Sequence, residues 1–135
     1  MGDKEKNGED KLWHKGRCHC GEVSFEVAAP ANIVIIDCNC SMCNLTGYQH
    51  LIVEAENFRQ LTGEGNQISY RFGTHTAEHL FCRCCGVKAF YVPRSHPEGV
   101  SVNLRCVDQS KFETIEFIEF DGQNWEQNIG GLQET

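Results

Sequence analysis

Eight of the nine cysteines in this 135-residue chain fall into three tight groups. They are Cys18-x-Cys20, Cys38-x-Cys40-x-x-Cys43 and Cys82-x-Cys84-Cys85. Thiolates two or three residues apart can converge on one soft cation, and zinc favours a tetrahedron of sulfurs at about 2.3 Å. Pairing the first group with the third gives a closed four-sulfur site. The middle trio is then left with three ligands and an open position. A closed site is structural, whereas an open one can take a substrate atom.

Spacing assigns the ligands within each group. Cys82-x-x-Cys85 is the ordinary zinc-knuckle interval, and Gly21 and Gly86 each follow a candidate pair. Glycine there lets the backbone turn its amides towards the sulfurs, which disperses thiolate charge. Cys18, Cys20, Cys82 and Cys85 are therefore expected on one zinc and Cys38, Cys40 and Cys43 on a second, two Zn2+ per chain. Cys84 is left over and reads as a small apolar residue turned into the core. Cys106 reads as core for the same reason, since a free cysteine is often buried. Three thiolates on zinc leave a net charge of about −1, poor for polarising water but suited to a fourth, soft ligand. A thiol that binds there loses its proton and becomes a nucleophile at neutral pH. The competing reading is a second structural zinc completed by His50, His79, Asp37 or a water.

Charge and compartment bound the alternatives. The formal net charge of −7 and the scatter of single Lys and Arg residues exclude a basic nucleic-acid surface. The segment Met1-Gly2-Asp3-Lys4-Glu5-Lys6 carries charges where an export signal needs an apolar run, and Ile33 to Ile36 is too short to span a bilayer. A cytoplasmic or also nuclear location follows as the expectation, with reduced thiols and metal ligation rather than disulfides. Oligomeric state is not legible.

The elements that must position these cysteines read as short strands. Residues 1 to 12 are charged and expected as a disordered tail, and 13 to 135 as a single zinc domain. Val23, Phe25 and Val27 alternate with polar neighbours, as do Ile68, Tyr70 and Phe72, and Val100, Val102 and Leu104. Further strands are expected over 33–36, 48–53, 87–92 and 115–120, with a short helical turn around Glu56 to Leu61. Turn residues such as Gly63-Glu64-Gly65-Asn66 separate them. The whole is mainly β, a sandwich, barrel or folded sheet.

The remaining polar residues carry less chemistry. His19 sits between two ligands, where strand alternation turns it outwards. His50, His75, His79 and His96 lack a zinc-protease context, and Glu116 and Glu119 read as a solvated strand face. Tyr48, Tyr70, Phe81 and Phe90 read as core or pocket lining.

The ordered segments Gly16-Arg17-Cys18-His19-Cys20-Gly21-Glu22-Val23-Ser24-Phe25, Cys38-Asn39-Cys40-Ser41-Met42-Cys43 and Phe81-Cys82-Arg83-Cys84-Cys85-Gly86 resemble the glutathione-dependent formaldehyde-activating (GFA) family, whose animal branch includes centromere protein V. The likeness extends through Leu61-Thr62-Gly63 and Val102-Asn103-Leu104-Arg105 to about Gln109. It implies an Mss4-like folded β-sheet (β-tent) domain stapled by two zincs. Cys18, Cys20, Cys82 and Cys85 match the family's structural ligands, and Cys38, Cys40 and Cys43 its catalytic ones. The implied activity is carbon–sulfur lyase chemistry on a glutathione adduct, forming or cleaving S-hydroxymethylglutathione. An anionic glutathione needs cationic donors, for which Arg71, Arg83, Lys88, Arg94 and Arg105 are available. The alternative is a non-catalytic zinc-stapled protein-binding module with a chromosome or cytoskeletal role.

Overall fold

In the computed structural model, which describes residues 10–72, 77–93 and 98–121, the chain is mainly β, as the alternation predicts. One sheet has three antiparallel strands, β1 (Leu12–Arg17), β2 (Ser24–Ala29) and β5 (Phe58–Thr62), in the order β1-β2-β5. The second holds β3 (Asn32–Cys38), β4 (His50–Glu54), β6 (Gln67–Tyr70), β7 (Glu78–Cys82), β8 (Phe90–Val92), β9 (Gly99–Asn103) and β10 (Thr114–Phe120). Its order is β10-β3-β4-β9-β8-β7-β6, with β10 parallel to β3 and the other pairs antiparallel. A six-residue helix, α1 (Ser41–Thr46), lies between β3 and β4.

The core lies between the sheets. Phe25 and Val27, alternate residues of β2, are fully buried together with Ile35 of β3 and Val102 of β9. The Phe25 ring meets Phe58 of β5 at 5.6 Å and Phe90 of β8 at 5.7 Å, so one side chain touches both sheets. Period-two alternation makes this possible, because it puts every second residue of a strand on the same face.

Four elements differ from the reading of the sequence. The helical turn expected over 56–61 is a 3-10 turn at Ala55–Asn57 followed by β5. Pairing decides this, since β2 offers an open edge on which Phe58 and Gln60 align with Val27 and Phe25. Strands β1 and β7 carry too little alternation to stand out. In β1 only His14 is buried, and it is held by a hydrogen bond between Nε2 and the Ala29 carbonyl. Helix α1 is too short to show a 3.6-residue period. Cys40 caps its start by accepting from the Cys43 amide, and Gly47 ends it at φ +69°. The expected tail lies largely outside the described residues, and β1 already begins at Leu12. His75, Arg94, His96 and residues 122–135 also lie outside them.

Phe25→Ala is expected to destabilise the protein by about 3–5 kcal/mol, the usual range for removing a fully buried phenylalanine. Urea unfolding measures it, and a loss below about 1 kcal/mol would mean that the two sheets do not share this core.

Candidate metal centres

The turn joining β1 to β2 carries Cys18 and Cys20, and the end of β7 with its following turn carries Cys82 and Cys85. The two turns have matching hydrogen bonds. The Cys18 amide donates to the Val23 carbonyl and the Cys82 amide to that of Val87, at 2.9 and 3.0 Å. Gly21 and Gly86 both adopt positive φ, +84° and +79°, which lets each turn close around its sulfurs. The Sγ atoms of all four cysteines lie within 4.8 Å of one another. Cys18 to Cys20 and Cys20 to Cys82 are each 3.7 Å. Sulfurs at about 2.3 Å from a central zinc would be about 3.8 Å apart along each tetrahedral edge, whereas a disulfide needs about 2.05 Å.

Amides point at these sulfurs. Val23 N–H donates to Cys18 Sγ at 3.3 Å and Glu22 N–H to Cys20 Sγ at 3.4 Å. Cys82 Sγ accepts from both Cys84 and Cys85, and the Cys85 amide leads the forces holding its thiol below the ordinary range. Such donors stabilise thiolate rather than thiol. Donor type and spacing both fit zinc.

The second group is built by the end of β3 and by α1. Cys38, Cys40 and Cys43 bring their sulfurs within 4.8 Å of one another. Among the described residues no histidine, cysteine or carboxylate joins all three at that distance, so His50, His79 and Asp37 are not placed as a fourth ligand. Hydrogen bonding from Cys38 and then Cys43 holds the Cys40 thiol well below its ordinary value. Sharing with Cys38 and Cys40 pushes the Cys43 thiol well up. Three crowded sulfurs without a cation thus resolve into one favoured thiolate. A divalent ion is what would let all three ionise together.

A buried polar network backs the trio. His50 Nε2 lies 3.0 Å from Cys43 Sγ, and its Nδ1 lies 2.9 Å from the Ser101 hydroxyl. Burial pushes the His50 pKa down to about 3, so the ring is neutral and carries one hydrogen. Were Cys43 ionised by a bound cation, that hydrogen would belong on Nε2 and Nδ1 would accept from Ser101. Tyr48 donates to the Ser101 carbonyl at 2.6 Å, and the Tyr91 hydroxyl lies 3.4 Å from His50 Nδ1. Lys88 is buried beside these rings and donates to His79 Nδ1 at 2.8 Å. Burial pushes its pKa down to about 8, against the opposing pull of the Cys43, Cys40 and Cys38 sulfurs.

Other expectations divide. Cys84 is exposed, a correction to the core reading: it sits within the turn whose amides face Cys82, leaving its side chain to solvent. Cys106 is half-buried against the core, and burial pushes its thiol up to about 11. His19 is exposed, as alternation suggests. Arg71 is ion-paired with Glu78 at 3.1 Å, and Arg83 and Arg105 are exposed. Nothing in the local sequence marks Lys88, Ser101 or Tyr91 as neighbours of the trio's support, since the three lie on separate segments from it.

The sequence profile of the family described as glutathione-dependent formaldehyde-activating enzyme matches residues 13–119. A solved Rhodobacter sphaeroides protein is similar at 32% identity and a TM-score of 0.63, over 77% of this chain and 99% of the other.

Two metal ions per chain are expected in protein purified without added zinc, and a stoichiometry near one would break the four-plus-three partition. Cys18→Ser or Cys85→Ser is expected to cost several kcal/mol or to prevent folding, because binding a shared metal is part of folding. Cys40→Ser is expected to leave a folded β-protein. Equal losses of Tm in both classes would make the trio structural too.

Proposed function

The chain belongs to the glutathione-dependent formaldehyde-activating enzyme family, and from that premise we propose that its three-cysteine centre forms or cleaves the carbon–sulfur bond of S-hydroxymethylglutathione-type adducts. The observation that carries this reading is the lack of a fourth protein ligand around Cys38, Cys40 and Cys43 among the described residues. The four-sulfur group, by contrast, is complete and is read as structural.

A zinc ion held by the trio would supply Lewis acidity that favours a fourth sulfur in its thiolate form. The rest falls to the chain. His50 Nε2 meets Cys43 Sγ and would donate to it as a thiolate, which orients that sulfur, while the Ser101 hydroxyl at Nδ1 orients the ring. Tyr48 and Tyr91 are buried and keep water from that side of the trio. In the forming direction the thiol loses its proton and its sulfur lone pair bonds to the carbonyl carbon. The carbonyl π pair moves to oxygen, which takes up a proton. In the cleaving direction the hydroxyl loses its proton, the carbon–oxygen double bond re-forms, and sulfur leaves as a thiolate.

Cobalt substitution tests the reading. Glutathione is expected to change the thiolate-to-cobalt charge-transfer band, a thiol-free analogue is not, and Cys43→Ser is expected to abolish the response. A zinc-stapled binding module predicts no change with either compound, and that result would end the enzyme reading. Formaldehyde as the carbonyl partner is checked separately, by whether the protein accelerates S-hydroxymethylglutathione formation.

A further inference from the structure

Lys88 is the one lysine or arginine that is buried among the described residues, at 4% exposure. A buried ammonium is costly unless other charges or hydrogen bonds compensate it. Among the described residues no carboxylate does so, for the ion pairs found there are Arg59–Glu26 and Arg71–Glu78. The Lys88 ammonium instead donates to His79 Nδ1 at 2.8 Å and lies 3.9 Å from the Tyr91 ring centroid and 4.6 Å from that of Tyr48. Two π faces and one neutral acceptor stabilise a cation but do not neutralise it.

Both aromatic walls are attached to the trio's own support. The Tyr48 amide donates to the Cys43 carbonyl at 3.1 Å, directly after α1 ends. Tyr91 reaches His50, which in turn contacts Cys43. The main chain of Lys88 is held as well, because its carbonyl accepts from the Asn103 side chain at 3.0 Å. Tyr91 and His50 thus connect the Lys88 ammonium to the Cys43 sulfur through three successive contacts.

We propose that Lys88 is the charge-compensating residue of the three-cysteine centre and makes that centre selective for an anionic, thiolate fourth ligand over a neutral one. The proposal rests on the reading of the trio as an open site. With a divalent ion bound, three thiolates leave about one negative charge, which Lys88 balances. A fourth thiolate adds another, and a fixed cation nearby lowers the cost of holding it in a low-dielectric site. A neutral ligand adds no charge and gains nothing from the lysine. Lys88 thus acts on the ligand's charge and is a specificity-determining residue, with no role required of it as an acid or base.

The test compares cobalt-loaded wild-type protein with Lys88→Met and Lys88→Gln, two uncharged side chains of similar length. Glutathione serves as the thiolate ligand and imidazole as the neutral one, each titrated through the cobalt absorption spectrum. Both variants are expected to bind glutathione about tenfold or more weakly, the effect of losing a neighbouring opposite charge, with imidazole affinity unchanged. Equal weakening of both ligands would assign Lys88 a structural role and overturn the proposal, as would no change in either. Should neither variant fold, the wild-type protein still decides: imidazole bound more tightly than glutathione at matched pH overturns the selectivity, and the reverse supports it. A wild-type spectrum that does not respond to glutathione removes the open-site reading itself. A normal wild-type response with unaltered variants removes only the role of Lys88.

Discussion

The four-sulfur cluster is the constraint on which the rest of this architecture depends. It joins the β1–β2 turn of the three-stranded sheet to the end of β7 in the seven-stranded sheet. Segments some sixty residues apart are therefore held at a single point, as the 3.7 Å contact between Cys20 and Cys82 shows. Phe25 links both sheets within the core, and Cys18 and Cys82 belong to the same buried cluster. A metal in the four-sulfur group would cross-link the sheets at that edge of the core. Metal ligation then becomes part of the folding free energy rather than an addition to it.

The trio depends on that frame without belonging to it. Cys38 closes β3 and Cys43 lies on α1, so both move with the seven-stranded sheet. The His50 that contacts Cys43 opens β4, and the Ser101 that orients His50 lies on β9, the strand next to β4. One ladder thus positions the trio's neighbours in sequence-distant pairs. The arrangement is rigid because the groups are buried and hydrogen-bonded, and buried polar groups tolerate few alternative positions.

Charge gives the two sulfur groups different characters. Around Cys18, Cys20 and Cys82 the support comes from backbone amides, which are neutral dipoles. At the trio one amide bond to Cys40 is joined by the His50 imidazole and, behind it, by the Ser101 hydroxyl and the buried Lys88. Net charge matters more at a site whose ligand number can change, since each added thiolate must be balanced within a low-dielectric interior. The protein's overall negative charge cannot supply that balance. A single internal cation can.

Much of this was legible from residue types and intervals alone. Cysteines two or three apart are neighbours whatever the fold, so the three groups follow from covalent reach, whereas the meeting of Cys18 and Cys20 with Cys82 and Cys85 is a tertiary contact. Period-two alternation likewise marked β2, β6 and β9; in β2 it follows burial, whereas Ile68 and Tyr70 of β6 are exposed. What the sequence could not carry is any pairing between distant segments. The strand at Phe58–Thr62 exists because β2 offers it an edge, and local propensity pointed to a helical turn instead. Cys84 looked like a core residue by elimination, yet its turn leaves it in solvent. Lys88 reads as one more scattered cation until His79 of β7, Tyr91 of β8 and Tyr48 close around it, for burial is a property of the surroundings and not of the residue. Local spacing determined which atoms could hold a metal; tertiary packing decided which charge stands beside them.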